Sequence, residues 1–444
     1  MITPIGARPD IAALRGTPRR SRLLAIAALA LAVRLLAAWS IPFSRGGGDP
    51  NFAPDEYAHF EVVRALAAGD APVWPRSASV YSVFPPSQYL VQAATFAAAR
   101  ALGLLTHLQR AVPDDPSCAG IVWARLGSAL LGAVFVLLLS RSTGRIMQDE
   151  RDGLLVGALA ALYPQHVFVS SCCNADILTL TAGMFLLDAL TAWAFRGEGS
   201  AGLPRIGLGC GLVTIAKLSG FYLLIPALAW VAIARARKPA ATTDAGSLPA
   251  RPHGASLAVA AAAAVCVAAP FLLWNTLRNG GDPLGLHAYS RYLAEVVHPK
   301  TMLQLPRGML LFAKASLASS YGLFGNMSLP LPAAANIVFA SLALFGLAVS
   351  LRARPREPLR RRLASCLLGA AALNLAFEFA KCLLVDFQPQ GRYLLLPVLG
   401  CASAALLAPG RRWPRLRLAW PALFLSVIAA SSLEMQWLLY SRGR

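Results

Sequence analysis

Apolar residues along this chain gather into blocks of about 20, separated by short polar segments that carry arginine, and an α-helix needs a block of that length to cross a hydrocarbon core of roughly 30 Å. Spans are expected near residues 22–42, 119–140, 153–171, 177–195, 204–217, 219–235, 256–275, 333–351, 363–382, 392–409 and 416–439, about 11 in all. The two shortest flank Lys217 and also suit a re-entrant pair. Backbone N–H and C=O groups find no partners in lipid, so the expected fold is an all-α polytopic membrane bundle.

Two intervals are much longer than a connecting loop of about 2–8 residues, namely 43–118 and 276–332. The first holds an amphipathic stretch, Asp55 to Ala68, and an apolar stretch, Gln88 to Leu105, that follows Pro85-Pro86. Both are expected to lie on the outer membrane surface as juxtamembrane helices. If the second crossed the bilayer, every later loop would change sides.

Arginine distribution argues against that crossing. Starting inside, Arg19, Arg20 and Arg22, then Arg141 and Arg145, Arg196 and Arg205, Arg235, Arg237 and Lys238, the run from Arg352 to Arg362, and finally Arg411, Arg412, Arg415 and Arg417 all fall on one parity. Under the positive-inside rule this makes residues 1–21 a cytoplasmic tail and 22–444 a single transmembrane domain, with 43–118 and 276–332 outside. The apolar run after the tail contains Arg34 and continues to Pro42, longer than a signal-peptide core of roughly 7–15 residues, which predicts an uncleaved anchor in a bacterial inner membrane. Residues 238–254 have the composition of a flexible linker.

Composition adds that lipid is the solvent, since 57% hydrophobic and 14% charged residues leave too little polar surface for a soluble globule of 444 residues. The net charge of +20 is read as loop charge and not as a nucleic-acid surface, because the arginines punctuate the spans. Eight cysteines without CxxC spacing give neither a zinc site nor a disulfide framework. Cys118, Cys172 and Cys173 face the oxidising side in this topology, which leaves one disulfide open. With no HExxH, P-loop or nucleotide-binding glycine fingerprint, neither ATP nor a nucleotide sugar is the expected donor.

The candidate chemistry starts at Ala-Pro-Asp-Glu-Tyr-Ala-His-Phe, residues 53–60, just outside the first span. Pro54, Asp55 and Glu56 suit the start of a helix, and that is one reading. Adjacent helical carboxylates point about 100° apart, so they do not form a facing pair; one suits a base while the other holds an acceptor or a metal. Asp55 is the first candidate base and Glu56 the second. His59, four residues after Asp55, either orders that carboxylate, joins Asp55 and Asp176 around a divalent metal, or is a surface histidine with a local ion pair.

Asp176 with Asn174 reads as an acceptor- or cation-binding pair, or as an ordinary helix cap. Arg392, at the outer end of a span, suits a lipid phosphate that a guanidinium holds bidentately; the alternative is an arginine snorkelling to the interface. Lys217 and Arg34 are further phosphate cations by position, and Glu378 with Lys381 reads as an i,i+3 pair.

The octapeptide resembles the acidic motif in the first extracytoplasmic loop of the GT-C superfamily, integral-membrane glycosyltransferases that include protein O-mannosyltransferases and aminoarabinose transferases of lipid A. Phe84-Pro-Pro-Ser-Gln-Tyr89 and Asn174-Ala-Asp176 resemble further elements in the same order. Trp274 to Gly285, with Arg278 and Asn279, Ser320 to Pro332, and Gln390-Gly-Arg-Tyr393 look like a bacterial branch known as a domain of unknown function. The resemblance implies a GT-C-like fold and an inverting transfer of sugar from a polyprenyl-phosphate donor to an envelope glycan, lipid or protein, with the first-loop aspartate acting on the acceptor hydroxyl. With Lys217 added by its position, it makes His59, Tyr89, Asn174, Asp176, Arg278, Asn279, Gln390, Arg392 and Tyr393 candidate substrate-binding residues. No cofactor is required by it, and a divalent metal is compatible with it.

The competing classes are a secondary transporter or lipid-linked-glycan flippase, and an O-antigen polymerase-like protein. Transporters place their sites near the midplane between repeated halves, whereas this chain concentrates acids and histidines in two unequal outer loops.

Overall fold

The computed structural model describes residues 20–42, 52–70, 79–106, 120–196, 202–225, 227–229, 231, 254–325, 327–352 and 358–442. The tail 1–19, Cys118 and nearly all of the linker lie outside them. Fifteen helices order the described chain: α1 Arg20–Ser40, α2 Glu56–Ala67, α3 Leu90–Ala101, α4 Ile121–Met147, α5 Glu150–Leu162, α6 Pro164–Val169, α7 Asp176–Arg196, α8 Leu203–Ala216, α9 Gly254–Arg278, α10 Leu286–Tyr292, α11 Gly308–Tyr321, α12 Ala333–Arg352, α13 Pro358–Leu384, α14 Leu395–Arg412 and α15 Ala419–Arg442. One hairpin of two-residue strands, β1 Leu323–Phe324 and β2 Leu329–Pro330, pairs antiparallel with Phe324 opposite Leu329.

The chain is a polytopic membrane protein. Among the described residues eight helices are long and apolar enough to cross a membrane: α1, α4, α7, α9, α12, α13, α14 and α15. Of the remaining three expected spans, 153–171 and 204–217 are shorter elements, and 219–235 lies partly outside the described residues. The block 153–171 is broken between α5 and α6, where Tyr163 is extended ahead of Pro164, whose ring lacks the N–H that would continue α5. The blocks either side of Lys217 are separated by that residue's extended backbone, φ −167° and ψ 146°. The two helical stretches expected in the first long interval are present as α2 and α3; at 1.5 Å per residue each 12-residue helix is about 18 Å long, too short to span.

The Pro164 break also explains a buried charge. Proline cannot donate to the Ala160 carbonyl, and Arg34 of α1 does so instead: Nη2 reaches Ala160 O at 3.2 Å and His166 Nδ1 at 2.7 Å, while Nη1 reaches Ala30 O at 2.8 Å and Ala161 O at 3.3 Å. Arg34 is thus occupied in closing a helix end, which removes it as a phosphate cation. Asp188 of α7 is likewise consumed by Arg145 at 2.7 Å and Arg205 at 3.4 Å.

Candidate functional site

The adjacent acids of the first loop part company. Asp55 adopts φ 58°, a left-handed conformation that Asp tolerates better than most residues, and its side chain makes no capping bond to α2. Its carboxylate stays 45% exposed. Glu56, one residue on, is fully buried: Arg125 of α4 meets it twice, Nε to Oε1 at 2.9 Å and Nη2 to Oε2 at 2.7 Å, and the Cys173 N–H donates to Oε1 at 2.7 Å. Arg125 spends its other N–H groups on the carbonyls of Ala38 and Ile41, tying the end of α1 to the start of α2.

Arg392 arrives from the other end of the chain. Its Nη2 lies 3.4 Å from Asp55 Oδ2, and its Nε lies 3.4 Å from Asp176 Oδ2. Lys217, at the break after α8, donates to Asp176 Oδ1 at 2.6 Å. Three cations ring one tyrosine: the charged ends of Lys381, Lys217 and Arg392 lie 4.3, 4.9 and 5.0 Å from the Tyr393 ring centre. Close approach makes this arrangement possible at Gly391, where a Cβ would sit 2.2 Å from the Ser320 nitrogen and whose N–H donates to Ser319 Oγ at 2.6 Å.

Partial burial alone would raise the Asp55 carboxyl, but the nearby Arg392 guanidinium, with His59 and a Tyr81 hydrogen bond, outweighs it and holds the group below the usual aspartate range. Asp55 is therefore ionised at neutral pH. His59 is buried, stacks on Tyr81 with ring centres 4.1 Å apart, and shares a 2.6 Å hydrogen bond through Nδ1 with the Tyr89 hydroxyl. Burial pushes its pKa down to about 4 even though Asp55 favours the charged form, so the ring is neutral. The unfolded chain binds a proton at about pH 6.5 while the folded chain does not, so stability falls as pH drops from about 6.5 to about 4. The loss is on the order of 3 kcal/mol. In detergent, the melting temperature is expected to drop over that window, and His59→Phe is expected to flatten that part of the profile.

The remaining expected residues serve chiefly to hold the loop. Asn174 Oδ1 accepts from the N–H groups of Asp176 and Ile177 at 2.9 and 3.2 Å, the helix-cap alternative, and so aims Asp176. Arg278 donates to Ser82 O at 3.3 Å and Asn279 to Val83 O at 2.7 Å, joined there by Asn275 at 2.9 Å. Gly285, at φ 71°, lets the start of α10 approach Val83 O, which a Cβ would meet at 2.2 Å. The Trp274–Gly285 motif thus clamps the 310 turn Val80–Val83, which presents Tyr81 to Asp55.

Beside Arg392 and Asp176 lies a small hollow of about 20 Å³, room for a water or two. Pro54, Phe168, Val169, Cys172, Phe324 and Met327 give it apolar walls; Gln165, Asn174, Asp176, Ser319, Gln390 and Arg392 are polar. Arg125, Tyr81, Lys381 in its role beside Tyr393, and Gln165 are members that sequence reasoning missed. Of these, only Lys381 carried a signal, as a charge within an apolar block.

No group of three metal-binding side chains stands together among the described residues. Asp55, His59 and Asp176 do not fit a ligand set, since Arg392 and Lys217 sit against the two carboxylates and Tyr89 holds His59 Nδ1. Cys172 and Cys173 are free and buried.

Several solved structures are similar to this chain over nearly its whole length, each at low sequence identity. One is the oligosaccharyltransferase AglB of Archaeoglobus fulgidus in complex with an inhibitory peptide and a dolichol-phosphate, 15% identical over 95% of this chain and 55% of that one, with a TM-score of 0.49. The same archaeal enzyme in complex with Zn and sulfate gives 15% identity, 94% and 53% coverage and a TM-score of 0.48. Another is ArnT from Cupriavidus metallidurans bound to undecaprenyl phosphate, 15% identical over 95% of this chain and 76% of that one, with a TM-score of 0.46. The chain spans about half the length of the archaeal enzyme. No protein-family model matches it, and no curated protein matches it in sequence.

Proposed function

We propose that this protein is an inner-membrane glycosyltransferase that moves a sugar from a polyprenyl-phosphate carrier to an extracytoplasmic glycan, lipid or protein, with inversion at the anomeric carbon. The carrying observation is the pairing of an exposed, ionised Asp55 with a buried Arg392 at 3.4 Å, beside a hollow and a cluster of lysines.

In this reading Asp55 accepts the proton of the acceptor hydroxyl as its oxygen attacks the anomeric carbon. The bond from that carbon to the phosphate oxygen breaks, and its electron pair leaves with the polyprenyl phosphate. Arg392, Lys217 and Lys381 stabilise the negative charge that develops there. Glu56 takes no part in the proton transfer, because both its oxygens are committed to Arg125 and Cys173. Its work is to anchor the backbone one residue from the base.

The test is a donor screen. Membranes carrying the chain, given labelled polyprenyl-phosphate glucose, mannose, galactose or aminoarabinose, should consume at least one and release polyprenyl phosphate. Nucleotide sugars without carrier should not be consumed. Consumption of none, with Asp55-independent uptake of glycolipid by proteoliposomes, would reverse the reading in favour of transport.

Gly391 gives an independent check on the placement of Arg392. Gly391→Val must push the 390–393 segment off the Ser320 backbone, and a 1 Å displacement of a catalytic group typically costs about 100-fold. The variant is expected to insert and purify normally while kcat/KM for the accepted donor falls by about that factor.

A further inference from the structure

Four aromatic rings stand in a row that starts at the base. Tyr81 donates a hydrogen bond to Asp55, and its ring centre lies 6.3 Å from that of Phe84. Phe84 lies 5.3 Å from Tyr289, and Tyr289 lies 6.4 Å from Tyr292. All four are half-buried, so each keeps part of its ring surface open. The row is mounted on two segments, the 310 turn Val80–Val83 with Phe84, and α10. The bonds from Asn275, Arg278 and Asn279 to the Ser82 and Val83 carbonyls hold that turn against the segment leading into α10, so the surface is organised before anything binds to it.

A carboxylate oxygen without a partner stands close by. Asp386, in the turn after α13, is only 8% exposed, and its Oδ2 is buried with no hydrogen bond among the described residues. The turn itself is fixed, since the Asp386 N–H donates to Lys381 O at 3.0 Å and the Phe387 N–H to Lys300 O at 2.9 Å. Asp386 is near enough to Asp55 to feel its charge, and its own charge reaches the Tyr289 hydroxyl. A buried acceptor in this state is destabilising until a donor reaches it.

We propose that the acceptor is a saccharide, which lies on Tyr81, Phe84 and Tyr289, donates one hydroxyl to Asp386 and presents another to Asp55. This rests on the glycosyl-transfer reading and deepens it by naming the acceptor class. The acceptor oxygen must come within hydrogen-bond reach of Asp55, and Tyr81 is bonded to Asp55. The body that carries that hydroxyl therefore rests on the ring surface that begins there.

A pyranose has an apolar C–H face and a rim of hydroxyls, which match aromatic faces bordered by tyrosine hydroxyls and a carboxylate oxygen. A serine or threonine side chain holds its hydroxyl one carbon from the backbone and would leave Phe84 and Tyr289 uncovered. The peptide beyond it needs backbone partners, which a row of rings does not supply. A lipid tail would cover the rings and leave Asp386 Oδ2 without a donor.

The experiment gives the full-length protein in nanodiscs the labelled polyprenyl-phosphate sugar that it consumes, with delipidated polysaccharide or intact glycolipid from the native envelope, a Ser/Thr-rich peptide, or diacylglycerol. Label should enter the polysaccharide or the glycolipid, and the two arms distinguish a free glycan from a lipid-borne one. Phe84→Ala, Tyr289→Ala and Asp386→Ala should each raise KM for that acceptor about tenfold and leave KM for the donor unchanged, which also reports that the variants are folded. Tyr289→Phe keeps the ring and should stay near the wild-type KM. Label in the peptide or the diacylglycerol, donor consumed with neither saccharide labelled, or an acceptor KM indifferent to all three alanine substitutions overturns the proposal while the glycosyl-transfer reading stands. If no polyprenyl-phosphate sugar is consumed at all, that reading falls and this one with it.

Discussion

Asp55→Asn is expected to lower the turnover of polyprenyl-phosphate sugar by about a thousandfold, within the 100- to 10,000-fold range that removal of a general base produces. The variant should fold, because Asn is among the few residues that accept the φ of 58° found here, and because Asp55 is half exposed and an amide oxygen can still accept from Arg392 and Tyr81. Arg392 keeps Asp176 as a neighbour in the variant, so the phosphate cation is not stranded. Single-turnover measurements would separate the lost chemistry from binding, and affinity for bare polyprenyl phosphate should hold or rise once a negative charge beside the phosphate is gone. In the wild type, Arg392 holds the Asp55 pKa down, so activity should persist to lower pH than an ordinary aspartate base allows, with the acid limb of kcat/KM below the usual range. Turnover by Asp55→Asn within tenfold of wild type would remove the base assignment.

How much of this site was legible in sequence differs residue by residue. Asp55 stands out through the acidic octapeptide 53–60 in the first long interval, and Arg392 through its place at the outer end of an apolar block. The difference between Asp55 and Glu56 was hidden, since adjacency fixes only their angular separation. What separates them is Arg125, whose place inside α4 is set by tertiary packing and whose sequence surroundings read as an apolar span. Pro164 was in plain view, yet hydropathy averaged over the block 153–171 reads through it, so the helix break and the Gln165 side chain it presents went unseen. Arg278 and Asn279 read as substrate-binding residues of a loop motif and grip the carbonyls of Ser82 and Val83, a pairing between segments nearly 200 residues apart that no local pattern encodes. Lys381 read as the partner of Glu378, and that pair is present at 3.9 Å, but the same ammonium also faces the Tyr393 ring.

Arg125→Leu is expected to cost about 3–5 kcal/mol of stability, the usual penalty for leaving one member of a buried ion pair behind. Both partners are completely inaccessible, so Glu56 would be left as a carboxylate with only the Cys173 N–H, or would have to take up a proton. The carbonyls of Ala38 and Ile41 would lose their donor at the same time. Glu56→Gln should be milder, because the amide still accepts from Cys173 or Arg125, and the double variant Glu56→Gln/Arg125→Leu should be less destabilised than the sum of the two single changes. Thermal melting in detergent measures all three. Activity adds the decisive contrast: Glu56→Gln should keep most of its turnover at temperatures where it remains folded, whereas Asp55→Asn loses turnover with little change in melting. A Glu56→Gln protein as inactive as Asp55→Asn at unchanged melting temperature would move the catalytic role one residue along the chain. A wild-type melting temperature in Arg125→Leu would mean that the ion pair does not hold the first loop to the bundle.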